Sequence, residues 1–309
     1  MEGPKLPKLP KLPRISLVTP SLNQAQFLEA TVESVLSQGY PDLEYSVVDG
    51  SSTDGSVDLL RSYGERVRWS SGPDAGQSDA VNRGLREATG EVLGYLNSDD
   101  VLLPGALGTV GEIFASDPEA VLVYGRAMYV DAGGRDVAPY LSAPWDPRRL
   151  EDFCLVPQPA AFWRRCVRDD VGEFDVSLHH AMDYDYWLRI AARYPAARVR
   201  HVERFLAGFR LHDAAKSVGG WGRGLDEIMD LVHRRAGYVS LWWCVAKWDH
   251  RIDGRHQASA PHPVPWMAYP PALAEFAARN GYRPRLLWRG VRGGLRGLRK
   301  RLKILGSGL

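Results

Sequence analysis

The segment Glu91-Val92-Leu93-Gly94-Tyr95-Leu96-Asn97-Ser98-Asp99-Asp100 leads from an apolar run straight into two adjacent aspartates. The apolar run predicts a buried β-strand, and Leu103-Pro104-Gly105 predicts the turn into a helix. In open α/β sheets, ligands bind beyond the carboxyl ends of such strands. Carboxylates gathered there favour Mg²⁺ or Mn²⁺, which commonly share phosphate oxygens with a substrate. Taken alone, an Asp-Asp pair is also typical of helix caps and solvated turns. The neighbouring motifs in the sequence are therefore needed to choose between a ligand site and a cap or turn.

On both sides of this segment, short apolar strands alternate with helices. The pattern predicts βαβ units and therefore an α/β fold, with a mostly parallel, Rossmann-like sheet flanked by helices. Right-handed crossovers place the carboxyl ends of successive strands along one edge. The predicted strands are residues 14–19, 43–48, 67–70, 91–96 and 120–124, and the predicted helices are residues 24–38, 57–63, 78–88 and 107–114.

The alternation changes after residue 125. Residues 127–131 and 137–141 flank Gly133-Gly134, which predicts a β-hairpin. In the later part of the chain, the sequence pattern predicts a helix, then strands, then a C-terminal helical extension. These elements are a helix over residues 182–193, strands over 199–202 and 205–211, a long helix or helix pair over 226–248, and a loop over 253–271.

The composition is that of a soluble globular protein with one large or two smaller domains: 309 residues, 45% hydrophobic and 25% charged. Three cysteines form no CxxC pair, which predicts reduced thiols rather than a disulfide framework. The N-terminal residues lack the apolar stretch of a signal peptide, and the apolar run over residues 241–246 is too short to span a bilayer. We therefore expect a cytoplasmic protein.

Positive charge is concentrated at both ends. Residues 1–14 carry four basic side chains and one acidic, and residues 281–309 carry nine basic and none acidic, although the net charge is only +2. The Lys-Leu-Pro repeat predicts an extended basic arm over residues 1–13. In the tail, an apolar stripe at helical spacing predicts an amphipathic segment on an anionic membrane surface; a helix docked on the acidic body is the alternative. The stripe is Leu287, Val291, Leu295, Leu298, Leu302 and Leu305.

Several spaced motifs together resemble one protein family. They are Val18-Thr19-Pro20-Ser21-Leu22-Asn23, Val48-Asp49-Gly50-Ser51-Ser52-Thr53-Asp54-Gly55-Ser56, Pro73-Asp74-Ala75-Gly76-Gln77-Ser78-Asp79-Ala80-Val81-Asn82-Arg83-Gly84, Ala88-Thr89-Gly90-Glu91 and Leu96-Asn97-Ser98-Asp99-Asp100. Over residues 14–215 the chain resembles the family 2 glycosyltransferases of the GT-A fold, inverting enzymes that use nucleotide sugars to build polysaccharides and glycolipids. Neither GxGxxG nor GxxxxGK[ST] occurs, so the sequence favours neither a dinucleotide fold nor a P-loop.

The resemblance implies a nucleotide-sugar site within residues 14–125. Thr19 and Pro20 would line the nucleoside pocket, Asp49 would hold the base or ribose, and Asp74 would lie beside the nucleoside. An Asp at the end of a strand also has a simpler interpretation, as an Asx turn that caps the following helix.

The resemblance also implies a metal site. Asp99 would be the ligand of the DXD-type motif, with Asp100 as the second choice. Asn97 stands where the family often has aspartate; its amide can bond a ribose hydroxyl but adds no charge. His212, in Phe209-Arg210-Leu211-His212-Asp213, lies in a segment resembling the one that brings a histidine to the metal or diphosphate.

An acceptor half is implied over residues 126–220. Met182-Asp183-Tyr184-Asp185 resembles an acidic motif whose first aspartate is the general base, so Asp183 is the predicted catalytic residue. Its alternative role is a helix N-terminal acid favoured by the helix dipole. Gln158 and Trp163 lie in a stretch resembling the acceptor floor, where Trp163 would either stack on a sugar or pack in the core.

These inferences predict an inverting glycosyltransferase that uses Mn²⁺ or Mg²⁺. The expected donor is a UDP-sugar, before a GDP- or dTDP-sugar, and the expected acceptor is a hydroxyl of a glycan or lipid-linked molecule in cell-surface polysaccharide or glycolipid synthesis. The catalytic domain would span residues 14–220 and a helical extension residues 221–309. The expected location is the cytoplasm, peripheral on the inner face of the membrane.

Two other functions fit parts of the sequence. A non-catalytic nucleotide-sugar-fold protein docked on a membrane would use the same sheet and tails. A nucleotidyltransferase would also use aspartates and metal, but such enzymes usually carry a basic, glycine-rich loop, and Ser21-Leu22-Asn23-Gln24 has neither glycine nor lysine. Nucleic acid is not an expected partner, because the basic tails contain no aromatic-interleaved RNA motif.

Overall fold

The fold is described from a computed structural model that covers residues 11–253, 266–285, 288, 291 and 292. Residues 1–10 of the predicted arm, and most of the predicted amphipathic tail, lie outside these described residues. Within them, no helix has the length and apolar character needed to cross a membrane.

The strands of the described residues form a single sheet. They are β1 (Ile15–Ser21), β2 (Leu43–Asp49), β3 (Arg68–Ser71), β4 (Val92–Tyr95), β5 (Val101–Leu102), β6 (Leu122–Val130), β7 (Asp136–Pro139), β8 (Ala161–Arg164) and β9 (Val199–Arg210). Their order is β3-β2-β1-β4-β8-β6-β9-β5, with β7 paired to β6.

The α-helices of the described residues cover both faces of the sheet. They are α1 (Ala25–Leu36), α2 (Ser56–Ser62), α3 (Gln77–Glu87), α4 (Ala106–Ser116), α5 (Pro147–Leu150), α6 (Arg165–Val171), α7 (Met182–Arg193), α8 (Lys216–Gly219), α9 (Trp221–Ala236), α10 (Leu241–Asp253) and α11 (Tyr269–Arg279). One core packs beneath α1, α2 and α4, and a second packs beneath α3, α6, α7 and the C-terminal helices α9 to α11.

The predicted α/β fold is confirmed, and its sheet is mixed. Strands β3, β2, β1 and β4 are parallel, whereas β8 runs antiparallel to both β4 and β6. Register aligns Ser21 with Asp49, and Asp49 with Ser71, at the ends of the first three strands. Since parallel strands end at the same edge, this alignment collects polar side chains along one rim of the sheet.

Several predicted elements merge or divide in the structure. The strands predicted over residues 120–124 and 127–131 are one strand, β6, and those predicted over 199–202 and 205–211 are one strand, β9. The two long strands pair in parallel with register shifts between Tyr124 and Ala127, where their sequence pattern is interrupted.

The predicted helix over residues 226–248 is two helices. Gly237 has φ 73°, a left-handed conformation that favours glycine, and its N–H bonds the carbonyl of His233 to end α9. The predicted loop over residues 253–271 ends earlier than expected, because α11 begins at Tyr269.

Buried polar contacts hold the three C-terminal helices together. The Lys247 side chain of α10, only 6% exposed as a residue, donates to Asp226 of α9 at 2.6 Å and to Glu275 of α11 at 2.7 Å. The amide of Asn280 bonds both the N–H and the carbonyl of Val239. A buried ammonium needs such paired carboxylates, so these helices form one packed unit.

Candidate active site

A cavity of about 660 Å³ opens where the sheet edge meets the C-terminal helices. It is lined by most of the residues that the sequence singles out. These are Pro20, Asp74, Asn97, Asp99, Asp100, Gln158 and Asp183. Asp99 and Asp183, 84 positions apart in the sequence, therefore share one enclosed space.

Asp99 forms a pair with His212 at this cavity. Its Oδ2 lies 3.0 Å from the Nε2 atom of His212, and 19% of the Asp99 side chain is exposed. The ring of Phe27 packs against the imidazole, with ring centroids 4.5 Å apart. The pairing orients the imidazole, because one of its nitrogens is committed to a carboxylate.

Asp100, the second choice as metal ligand, is held by the protein. It is 2% exposed, its Oδ1 accepts the N–H of Arg210 at 2.9 Å, and its Oδ2 accepts from Asn97 at 3.2 Å. Burial, and then the charge of Asp99, raise the pKa of Asp100 well above its ordinary value. Both carboxyl oxygens of Asp100 thus support the loop, which argues against a direct ligand role.

Asn97 is the centre of an amide network. Its Nδ2 donates to Asp100 and to Gln158 Oε1 at 3.1 Å, and its Oδ1 accepts from Gln77 at 2.6 Å. Gln158 Nε2 donates to the carbonyl of Tyr95 at 2.7 Å, which fixes the orientation of its amide. Asn97 therefore acts as donor and acceptor here, a combination that an ionised aspartate cannot provide.

We predict that Asn97→Asp destabilises the metal-free protein. The new carboxylate would face the acceptor oxygens of Asp100 and Gln158, and leaving such groups unbonded costs about 1–3 kcal/mol. Thermal unfolding with EDTA should show a lower Tm than wild type, and Mn²⁺ should raise the Tm of this variant more than it raises that of wild type. Asn97→Ala is the matched control, since it removes the donor without adding charge. An equal Mn²⁺ effect in both variants would contradict the interpretation.

Pro20 and Asp74, both predicted to lie at the nucleoside, line the cavity. Asp74 Oδ1 accepts the N–H of Gly76 at 2.8 Å, and a Cβ atom at Gly50 would lie 2.8 Å from Asp74 Oδ2. A side chain at position 50 would therefore displace the Asp74 carboxylate from its present position. This arrangement keeps the Asp74 carboxylate at the cavity wall.

Thr19 does not take its predicted place. It is fully buried, its hydroxyl lies 3.0 Å from the Tyr45 hydroxyl, and it does not line the cavity. The strand alternates its side chains, so Pro20 faces the cavity while Thr19 faces the core.

Asp49 is also fully buried and is not part of the cavity lining. Its Oδ2 accepts from the Ser52 N–H at 2.9 Å and the Ser71 hydroxyl at 2.6 Å, as an Asx turn would. Its buried Oδ1 has no hydrogen-bond partner within the described part of the chain. A contact from Asp49 to a base or ribose stays a prediction.

Asp183 lines the cavity at the start of α7. Burial raises the pKa of Asp183 to about 6, although the N–H of Tyr184 donates to its Oδ1 at 2.7 Å. A carboxylate with a raised pKa is a stronger base than an exposed aspartate. Asp185 has a different role: it is 2% exposed and accepts from Arg189 and Arg235, each through Nε at 2.8 Å. The structure therefore separates a cavity-facing carboxylate from an ion-paired one.

Glu227 of α9 is a residue that sequence reasoning missed. Its carboxylate accepts the N–H groups of His179 at 3.1 Å, His180 at 2.8 Å and Ala181 at 2.7 Å. These three N–H groups belong to the segment directly before α7. The contact therefore holds the backbone that leads into this helix. No local motif marks Glu227, because its partners lie 46 to 48 positions earlier. It links the C-terminal helices to the helix that carries Asp183.

We predict that Glu227→Gln shifts the pH dependence of the enzyme. The charge of Glu227 contributes to the raised pKa of Asp183, so its removal should move the acid limb of kcat/KM to lower pH. The amide has only one acceptor oxygen, and weaker support of the backbone should also cost about 2 kcal/mol of stability. The measurements are a pH–rate profile and a thermal melt. The exposed Glu65→Gln serves as control, and an unmoved acid limb would contradict the prediction.

Lys216 and Gln77 are two further cavity residues that were not singled out. The Lys216 ammonium donates to Gln77 Oε1 at 3.0 Å, and Gln77 in turn bonds Asn97. Lys216 lies four positions after His212, just beyond the segment Phe209 to Asp213, so its nearness in the sequence is a signal for it. It places a cation beside the carboxylates of the cavity.

Trp163 is not an acceptor contact. It is fully buried on β8, and its ring packs against Tyr186, Trp187 and Phe174 at centroid distances of 5.3, 5.9 and 6.0 Å. The core-packing alternative is therefore correct, because an indole enclosed on all sides cannot stack on a sugar. Gln158, five positions earlier, does reach the cavity.

The side chains fit a metal that is shared with a substrate. Among the described residues, no three His, Cys, Asp or Glu side chains come together as a complete metal site. Asp99 offers one carboxylate at the cavity wall, and the imidazole of His212, which is not part of the lining, lies 3.0 Å from it. Mg²⁺ and similar ions often bind through one or two protein ligands and complete their shell with substrate phosphates and water. The pair thus suits a metal that arrives with a diphosphate.

Comparison with known proteins identifies the family. Residues 16–163 match the family model for glycosyl transferase family 2. The chain is 31% identical over 218 residues to the O-antigen biosynthesis protein RfbC of Myxococcus xanthus, covering 69% of this chain and 17% of that protein. It is 29% identical over 199 residues to a PGL/p-HBAD biosynthesis glycosyltransferase of Mycobacterium bovis, covering 63% and 75%.

Solved structures show the same fold. TarS of S. aureus in complex with UDP-GlcNAc has a TM-score of 0.57 at 16% identity, with 96% of this chain and 92% of that chain covered. The mannosyltransferase PcManGT of Pyrobaculum calidifontis in complex with GDP-Man and Mn²⁺ has a TM-score of 0.54 at 20% identity, with 96% and 80% covered.

The chain belongs to the family 2 glycosyltransferases and has the GT-A fold. It spans 17% of the Myxococcus protein, and 34% of an uncharacterized glycosyltransferase of Rickettsia conorii with which it shares 27% identity over 64% of its own length.

Proposed function

We propose that this protein is an inverting glycosyltransferase that moves a sugar from a nucleotide diphosphate to an acceptor hydroxyl. One observation carries the proposal: Asp99, at the end of the nucleotide half, and Asp183, in the acceptor half, line the same cavity. Direct displacement needs a leaving-group site and a base on opposite sides of one reacting carbon. Two carboxylates from separate halves supply these two functions.

The donor would lie along the rim of the parallel strands. Pro20 and Asp74, which line the cavity, would contact the nucleoside, and Asp99 and Lys216, with His212 bonded to Asp99, would face the diphosphate. The ligand-bound neighbours, with UDP-GlcNAc and with GDP-Man, support a nucleotide-sugar donor. We favour a UDP-sugar, with GDP- and dTDP-sugars as the alternatives.

Asp99 and His212 would hold Mn²⁺ or Mg²⁺, and Lys216 would add a positive charge nearby. When bound, the metal neutralises charge that grows on the diphosphate as it departs. The ammonium of Lys216 acts in the same direction, because it can approach phosphate oxygens without a metal.

Asp183 would act as the general base. The acceptor hydroxyl gives its proton to the Asp183 carboxylate while its oxygen bonds the anomeric carbon, and the bond from that carbon to the diphosphate breaks. The electron pair leaves with the nucleotide, so the configuration inverts and no covalent enzyme intermediate forms. The raised pKa of Asp183 suits this role, since a base with a pKa nearer neutrality accepts a proton more readily.

The deciding experiment is a donor panel. UDP-, GDP- and dTDP-sugars are offered singly with Mn²⁺, and release of the nucleoside diphosphate is recorded with and without EDTA. We expect one donor class to be consumed, and its diphosphate to raise the Tm when Mn²⁺ is present. A protein that neither consumes nor binds any of them would contradict the proposal and favour a non-catalytic role.

The acceptor would be a glycan or a lipid-linked molecule of the cell surface. The names of two relatives, one in O-antigen biosynthesis and one in PGL/p-HBAD biosynthesis, support this class. The nucleotidyltransferase alternative gains no support, since the family match covers the sheet in which such an activity would reside.

We propose a cytoplasmic location on the inner face of the membrane, through the basic residues 281–309. Nine basic side chains and no acidic one would be attracted to anionic lipid. In flotation with liposomes that contain anionic lipid, the full chain should rise with the liposomes, and a chain truncated at residue 280 should not. About 0.5 M NaCl should weaken the binding of the full chain, because salt screens the attraction between basic side chains and anionic lipid. Equal flotation of both chains would exclude the tail as the anchor.

A further inference from the structure

One wall of the cavity is aromatic, and most of its residues lie outside the matched family region. We call it the aromatic chamber: Phe153, which follows α5, together with Trp221 and Ile228 of α9 and Trp242 and Trp243 of α10. The ring of Phe153 lies 6.0 Å from that of Trp242 and 6.4 Å from that of Trp243, measured between centroids. These five side chains contribute no charge to the cavity.

The predicted base lies in the same cavity as this chamber. The ring of Tyr184, next to Asp183, is 5.7 Å from that of Trp243. Cys154, which follows Phe153, also lines the cavity, and burial, and then the charge of Asp183, raise the pKa of its thiol. Asp183 is therefore close to the chamber, and it shares the cavity with Asp99.

Family membership does not require such a wall. Four of its five residues follow position 163, where the family match ends. The four aromatic rings and the isoleucine offer mainly apolar surface, which an alkyl or aryl group would cover and remove from water. Ligand sites of this kind combine apolar walls with a few placed polar groups.

We propose that the aromatic chamber binds the apolar group of the acceptor, and that the protein glycosylates a hydroxyl of a molecule that also carries an alkyl or aryl group. This inference rests on the proposed function and extends it by naming the acceptor class. The hydroxyl faces Asp183, and the apolar group occupies the space between α9, α10 and Phe153.

The test compares octyl and methyl β-D-glucoside, below the micelle concentration, by titration calorimetry with UDP and Mn²⁺ present. We expect the wild-type protein to bind the octyl compound about tenfold or more tightly, because its longer chain buries more apolar surface. Phe153→Ala and Trp221→Ala, both at half-buried positions, should weaken octyl binding by about tenfold and leave methyl binding unchanged. Leu273→Ala, an exposed position on α11, is the control.

Equal affinities of the two glucosides for the wild-type protein would overturn the proposal, and this comparison needs no variant. Octyl binding that both variants retain would also overturn it, since the compound would then bind elsewhere. The thermal shift with UDP and Mn²⁺ is recorded on the same samples. If the thermal shift is absent, the proposed function is contradicted. If the shift is present and the two glucosides bind equally, only the role of the aromatic chamber in acceptor binding is contradicted.

Discussion

Asp183→Asn is expected to reduce kcat by about a thousandfold or more, while the nucleotide diphosphate still binds. The asparagine amide preserves the size and position of the side chain but cannot take a proton from the acceptor hydroxyl. Single-turnover assays with the consumed donor would measure the loss, and the thermal shift with nucleotide and Mn²⁺ would show that the donor site is intact. A variant that keeps more than a tenth of the wild-type rate would exclude Asp183 as the base.

The same residue should set the acid limb of the pH profile. Its raised pKa of about 6 means that the basic form is lost as the pH falls through that value, so kcat/KM should decline below it. Stability changes in the opposite sense: because folding raises this pKa above the ordinary 3.8, ionising Asp183 costs stability progressively between about pH 4 and pH 6. At pH 8, Asp183→Asn should therefore have a higher Tm than wild type. Asp169→Asn, an exposed aspartate, should change neither property.

Asp99→Ala is expected to abolish the shift in Tm that a nucleotide diphosphate produces together with Mn²⁺. The substitution removes the carboxylate at the diphosphate end of the cavity and leaves His212 without its 3.0 Å partner. A ligand present at a hundred times its Kd stabilises a protein by about 2.7 kcal/mol, so the loss should be plain in a melting curve. Transfer should fall by about a thousandfold, as for the loss of one strong electrostatic contact to a leaving group.

Two controls make the Asp99 result specific. Asp58→Ala removes an aspartate whose side chain is 79% exposed on α2, and it should leave the shift intact. Asp183→Asn should also keep the shift, because its carboxylate belongs to the acceptor side. If Asp99→Ala responds to nucleotide and Mn²⁺ as wild type does, the predicted metal site is wrong.

Local patterns predicted the elements that position the site. The apolar run before Asn97 and the helical spacing before Arg193 are features of consecutive residues, and both elements occur where expected. Asp99 follows β4, and Asp183 lies in the first turn of α7. Predicting these two elements therefore also predicted the local positions of the two carboxylates. Asp99 follows a strand that ends at the sheet edge, whereas the packing of α7 brings Asp183 to the same cavity.

Local patterns did not predict which side of a strand a side chain occupies, or which residues far apart in the sequence come into contact. The same motif contains Thr19 and Pro20, and only the packing of β1 against Tyr45 shows which of the two points inward. Trp163 has the side chain of either a sugar platform or a core residue, and the rings that surround it are up to 68 positions away. Glu227 accepts backbone N–H groups of the segment before α7, a contact with no signature in the sequence.

The ion pairs of Asp185 bear on where the enzyme can be divided. Its carboxylate is shared by Arg189 of α7 and Arg235 of α9, across the boundary predicted at residue 220. Removing one partner of a buried charge typically costs 3–5 kcal/mol, which is a large fraction of the stability of a typical domain, about 5–15 kcal/mol. Segments on either side of that boundary thus depend on each other for folding, and evolution could not exchange one without re-matching the other. Acceptor choice and catalytic competence are inherited together in such a chain.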